Sequence, residues 1–212
     1  MNVMGRINEE LGLAGITKEQ AIRATNKHLM REAFEKGNAP SPKSIPTTSA
    51  EDAWNHLQND FAVDGILKPS RNSGSRGIAK VTCDMPKEDF VKAYDIALEE
   101  KTTEAPHFVE LGHNQPSCFS SDEVETLKAA AVAGVKALGV NNCACHAEAK
   151  LMEGKAYLME IGARLGGDFI ATELTHLSTG IDMVAAAVDV ALGIEPHLSV
   201  KKTPMAACIR YF

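Results

Sequence analysis

The chain has 212 residues, 44% of them apolar and 24% charged. That is the make-up of a globular protein able to hide roughly 70% of its unfolded surface. The formal charge of −6, from 22 Lys and Arg against 28 Asp and Glu, argues against a nucleic-acid partner. No apolar run approaches the ~20 residues that cross a bilayer. Cysteines 83, 118, 143, 145 and 208 show no framework spacing, and residues 1–10 carry no signal core, so a cytoplasmic protein without a membrane partner is expected.

Thr17 and Gln20 form a capping-box pattern that opens a helix, with apolar residues 21, 22, 29, 30, 33 and 34 forming one stripe as far as Gly37. Pro40, Pro42 and Pro46 then impose an extended connection, and Ser49 caps a short helix through Trp54 and Leu57. Residues 61–68 read as a turn and a strand, 69–77 as a Gly/Ser loop, and IAKVT as a second strand. Pro86 opens a helix over 87–100 whose apolar face holds Phe90, Val91, Tyr94 and Leu98.

His107–Leu111 has the β-branched and aromatic content of a strand, followed by a loop from Gly112 to Ser120. A helix runs from Ser121 to about Leu138, with Gly139 placed to cap it. The strands CHAEAKLM and KAYLMEIG are joined at Glu153-Gly154. The loop ARLGGDFI and a helix over 181–192 follow, ended by Gly193 and Pro196. The class is α+β, as two subdomains divided near residue 105.

Side chains alternate faces along a strand, so the spacing of Glu148 and Glu160 across this hairpin is informative. A three-residue turn would set Glu148 opposite Glu160; a two-residue turn would set it opposite Met159. Like charges directly opposite destabilise a sheet, and a divalent cation resolves that conflict, Mg²⁺ taking one or two carboxylates together with substrate phosphates. The alternative is two solvent-facing glutamates. The segment from Ser70 to Gly77, directly after Lys68, is suited to anion binding, because glycines let backbone N–H groups approach and lysine adds a point charge. Taken alone it reads more readily as a polar hairpin turn, and it lacks the Gly-Lys-Ser/Thr of a P-loop. Arg164 beside Gly166-Gly167 is a second anion candidate, and His113 lies in a proline-containing loop downstream of Glu110. Cys143, Cys145 and His146 read as a buried strand rather than a zinc cluster.

Together, Lys27 in ATNKHLMREAF, Lys68 in GILKPSRNSGSRGIAKV, and Glu148, Glu160 and Arg164 in HAEAKLMEGKAYLMEIGARLGGDFI resemble the ATP-grasp superfamily over residues 10–198. HFVELGHNQPS and EIGARLGGDFI look most like its carboxylate–amine (amino-acid) ligases and the similar carbamoyl-phosphate-synthase-like proteins. The resemblance implies two α+β subdomains gripping a nucleotide. Residues 1–16 would be the remnant of a preceding domain, 17–105 the small subdomain with the glycine-rich phosphate loop, and 106–212 the large subdomain with the metal-binding hairpin. It implies ATP with Mg²⁺ (or Mn²⁺) as cofactors, and small-molecule carboxylate and amine substrates joined through an acyl phosphate. Bicarbonate as the carboxylate, or a degenerate nucleotide-binding core without catalysis, are the alternatives.

By the same resemblance, Lys27 and Lys68 contact phosphates, and Ser73, Gly74, Ser75, Arg76 and Gly77 form a lid over them. Glu148 and Glu160 hold the metal. Arg164, with Lys68, serves the transferred phosphoryl group, while Glu110, His113, Arg164 and Gly167 line the substrate pocket. Many relatives have a metal-binding Asn where this chain has Gly162. They also have an acidic hinge segment, supplying adenine and ribose contacts, where this chain has only Lys101 to Pro106. Surface left bare by a missing preceding domain would be apolar enough for a second copy, as in a homodimer, to cover.

Overall fold

A computed structural model describes residues 1–70, 78–98, 112–200, 203 and 205–211. The lid residues Ser73, Gly74, Ser75, Arg76 and Gly77, together with Glu110, lie outside the described residues. The chain forms two compact units, one of Met1–Pro42 with Glu110–Phe212 and one of Lys43–Val109. Residues 17–42 pack with the second half of the chain rather than with Lys43–Val109. The reason is the apolar stripe itself: Met30, Ala33 and Phe34 share a core with Leu138, Leu158 and Ile161.

In the first unit, α1 (Asn2–Leu11) lays Gly5 against the start of α2 (Lys18–Arg23) and leaves Val3, Met4, Ile7 and Leu11 exposed along one side. The Thr17–Gln20 capping box is formed reciprocally. The single helix expected as far as Gly37 is instead two, because the Asn26 side chain accepts from the His28 and Leu29 amides and starts α3 (Lys27–Lys36) afresh. Helix α6 (Ser121–Leu138) has the Ser120–Glu123 capping box at one end and left-handed Gly139 at the other. The exposed Glu123 carboxyl is held below the usual carboxylate range by the hydrogen bonds it accepts from Ser120, backbone first.

Helices α3 and α6 cover the antiparallel hairpin of β4 (His146–Met152) and β5 (Lys155–Gly162). Gly134 of α6 permits close approach, since a Cβ there would come within 2.5 Å of the Leu158 and Ile161 side chains. Residues Gly112–Gln115, expected as a loop, form β3 by pairing antiparallel with β6 (Ala207–Arg210). That partner is almost a hundred residues distant, so no local pattern announces the strand. A π-helical turn at Ile170–Leu174, then α7 (Thr175–Thr179) and α8 (Met183–Ala191), complete the unit.

In the second unit, α4 (Ala50–His56) is capped by Ser49, whose hydroxyl accepts from the Asp52 amide. Strands β1 (Gly65–Leu67) and β2 (Ala79–Val81) pair antiparallel, and α5 (Lys87–Leu98) follows Pro86. Their core is Ala53, Leu57, Val81, Phe90 and Tyr94, with the Trp54 ring edge-on to Phe90 at 5.2 Å. None of the helices among the described residues is long and apolar enough to cross a membrane.

The β4–β5 turn has positive φ at both central residues, 51° at Glu153 and 73° at Gly154. Glutamate is a poor occupant of that region, whereas Asn-Gly is the favoured pair for such a turn. Glu153→Asn is therefore expected to stabilise the protein by up to about 1 kcal/mol in urea unfolding; a loss of stability would contradict this turn geometry.

Candidate functional site

The hairpin resolves the register question in an unexpected way. The turn is the two-residue kind, with Met152 opposite Lys155, and an uninterrupted ladder would set Glu148 against Met159. Instead the register shifts between Glu148 and Ala149: Ala149 faces Leu158, Glu148 faces Glu160, and Met159 is the extra residue of a β-bulge. The bulge reverses the in–out pattern of β5. Leu158 and Ile161 are both fully buried, while Glu160 turns to the opposite face beside Glu148.

The bulged edge is bound by α3 and the segment after it. Arg31 donates from Nη1 to the Leu158 carbonyl at 2.5 Å and from Nη2 to the Met159 carbonyl at 2.8 Å. The Ile161 amide donates to Met30 Sδ at 3.4 Å, and the Leu158 amide to the Pro40 carbonyl at 2.8 Å. One turn before Arg31, the Lys27 ammonium lies 3.3 Å from a Glu160 carboxylate oxygen. Burial pushes the Arg31 guanidinium below its ordinary pKa, opposed by the nearby Glu160 charge.

On the same face, His113 of β3, His146 and Glu148 of β4, Met159 and Ile170 line one cleft. His146 Nε2 is 3.8 Å from Glu148 Oε1, and the His113 ring meets the Tyr211 ring edge-on at 5.9 Å. Arg164, two residues past β5, is exposed and donates to the Leu165 carbonyl, and its stem packs on Gly162. Gly167 is open to solvent. Lys68 directly follows β1 in the other unit.

Of the residues singled out from sequence, the structure thus brings together Lys27, Glu148, Glu160 and His113. Sequence reasoning missed Arg31, Met30 and the Met159 bulge, and treated His146 only as part of a cysteine cluster. Two facing carboxylates with a lysine at hand suit Mg²⁺, which binds through one or two carboxylates and completes its shell with phosphate oxygens and water. Among the described residues no group of three or more His, Cys, Asp or Glu could hold a metal by itself. Two carboxylates would fill only part of such a shell.

The chain matches the carbamoyl-phosphate synthase L chain, ATP binding domain, over residues 109–198. It is 26% identical to alanine–anticapsin ligase of Bacillus subtilis across 242 positions, covering 88% of this chain and 51% of that protein. Its fold superposes on L-amino acid ligase from Bacillus licheniformis with a TM-score of 0.75 at 18% identity, covering 94% of this chain and 54% of the other. The chain therefore has the ATP-grasp fold. A further ATP-grasp neighbour, the biotin carboxylase domain of Hydrogenobacter thermophilus 2-oxoglutarate carboxylase solved with MgADP and bicarbonate, superposes with a TM-score of 0.76 at 19% identity, covering 98% of this chain and 55% of that one.

The chain spans about half the length of the curated relatives it matches. Within the match to the B. subtilis ligase, 88% of 212 residues is about 187, so about 55 of the 242 aligned positions have no counterpart here.

The thiols preceding β4 give a test of local electrostatics. The interaction between the two thiols holds Cys145 below the usual range and raises Cys143 above it. At pH 8, iodoacetamide is expected to alkylate Cys145 at least about tenfold faster than Cys143, read by peptide mass spectrometry; prior labelling of Cys143 would contradict this order.

Proposed function

We propose that this ATP-grasp chain performs the ATP-dependent step of a carboxylate–amine ligase acting on an amino acid or similar small carboxylate. The observation that carries this reading is the pairing of Glu148 with Glu160 through the β5 bulge, with Lys27 at 3.3 Å. In this reading a substrate carboxylate oxygen attacks the γ-phosphorus of ATP, the bond to the β,γ-bridging oxygen breaks, and ADP leaves. The amine nitrogen then attacks the acyl phosphate carbon, the C–O bond to phosphate breaks, and the amine's proton passes to solvent or phosphate.

Such chemistry needs positioning and charge neutralisation rather than a covalent nucleophile. Glu148 and Glu160 would hold Mg²⁺, which when bound would supply charge neutralisation for the phosphate. Lys27 neutralises Glu160 in its present position and is within reach of a phosphate that approaches the same carboxylate. Arg164 serves the transferred phosphoryl group from its exposed place past β5. His113, with Glu110 and Gly167, contributes to the pocket for the acceptor, where the cleft shared by His113, His146 and Glu148 supports a polar ligand. The roles of Lys68 and of Ser73, Gly74, Ser75, Arg76 and Gly77 as a phosphate clamp rest on motif order. A small-molecule carboxylate and an amine are the partners this reading requires.

Glu160→Gln keeps the size and hydrogen-bonding capacity of the side chain and removes the charge. It is expected to lower Mg²⁺-dependent ADP formation more than about 100-fold with an unchanged circular-dichroism spectrum; retained turnover would sink the metal assignment. The same phosphate-release assay, run with bicarbonate and with amino acids, separates a carbamoyl-phosphate-like activity from ligation. The match to the carbamoyl-phosphate synthase domain gives that second reading its standing. The positions lacking against the B. subtilis ligase favour a third, nucleotide binding without turnover, which ATP-dependent thermal stabilisation with no product would reveal.

A further inference from the structure

Arg31 has no part in the reading above, yet it binds the backbone of the two residues that precede Glu160. Consecutive carbonyls of a regular strand point to opposite edges, so one side chain cannot ordinarily receive both. Here one guanidinium donates to the carbonyls of Leu158 and Met159, at 2.5 and 2.8 Å. It can do so because Met159 is the bulged residue, so the fork of Arg31 recognises the bulge itself. The guanidinium lies 5.9 Å from the centre of the Phe34 ring one turn further along α3, which limits its freedom to turn away.

We propose that Arg31 is a positioning residue for Glu160: by tying the Leu158 and Met159 carbonyls to α3, it fixes the bulge that turns the Glu160 carboxylate toward Glu148. The inference rests on the reading of Glu148 and Glu160 as a shared divalent-cation site, and adds to it the residue that sets their register. Burial of a guanidinium here is otherwise hard to justify, because an apolar side chain would fill the same space without the desolvation that depresses the Arg31 pKa. An apolar substitute would leave the two bulge carbonyls without donors. Lysine cannot replace it, since a single ammonium lacks the planar fork that spans two acceptors.

The test measures Mn²⁺ binding to the whole chain by electron paramagnetic resonance, in the presence of a non-hydrolysable ATP analogue. Arg31→Lys is expected to weaken binding about tenfold, within the range by which outer-shell partners tune metal sites, and Glu160→Gln at least as much. Met30→Leu, which removes the acceptor of the Ile161 amide on the same strand edge but leaves Arg31, is expected to stay within about twofold of the wild type. If Glu160→Gln binds Mn²⁺ normally, or the wild type binds none, the metal-site reading fails and takes the proposal with it. If Glu160→Gln weakens binding and Arg31→Lys does not, the proposal alone is overturned. Equal losses in Arg31→Lys and Met30→Leu, or loss of cooperative melting in Arg31→Lys, would make Arg31 a residue of the core and overturn it as well.

Discussion

A strand that alternates strictly cannot bury Leu158 and Ile161 on one face and present Glu160 on the other, because residues three apart then point to opposite sides. The β5 bulge is the solution to that conflict, and much of the first unit is arranged around it. Gly134 of α6 makes room for the two buried side chains. Met30 and Arg31 of α3, with the Pro40 carbonyl, satisfy the edge of β5 away from β4. The core and the site are therefore two faces of one local irregularity, and neither can be altered without the other.

The electrostatic arrangement follows from the same geometry. Two carboxylates opposite one another on a sheet repel, and that repulsion is relieved on one side by Lys27 from the first turn of α3. Lys27 and Arg31 stand four residues apart and so share a helix face. They act on neighbouring parts of β5 in different ways. Lys27 meets the carboxylate as a point charge that can exchange partners, whereas Arg31 meets the backbone through paired hydrogen bonds that fix direction. A start of α3 set by the Asn26 cap, rather than carried on from α2, puts both cations in register with the strand.

Much of this was legible in the sequence where the signal is local. The Thr17 and Ser49 caps, the Gly139 stop and the Glu153-Gly154 turn announce themselves by residue type at fixed offsets. The sequence makes the pairing of Glu148 with Glu160 a condition on turn length, and the structure reaches it by another route, a two-residue turn with a compensating bulge. A bulge has no composition of its own. Its trace in KAYLMEIG is the pair of apolar residues Leu158 and Ile161 set an odd number apart, a parity break that marks an inserted residue once both are known to be buried. Strand β3 left less trace still, since GHNQ becomes extended only against β6. Arg31 looked like one more charged residue on an amphipathic helix, because a donor to backbone carbonyls carries no pattern in its own neighbourhood.

The bulge also decides what a deletion in this segment would change. Loss of Met159 alone would leave a tidier hairpin, with a continuous ladder from the turn to its open end. Glu160 would still stand opposite Glu148 and Ile161 would still face the core, but Arg31 would meet a regular edge that offers one carbonyl in place of two. The extra residue in β5 therefore matters for what Arg31 can hold, and not for which side chains a shortened strand would turn to the core.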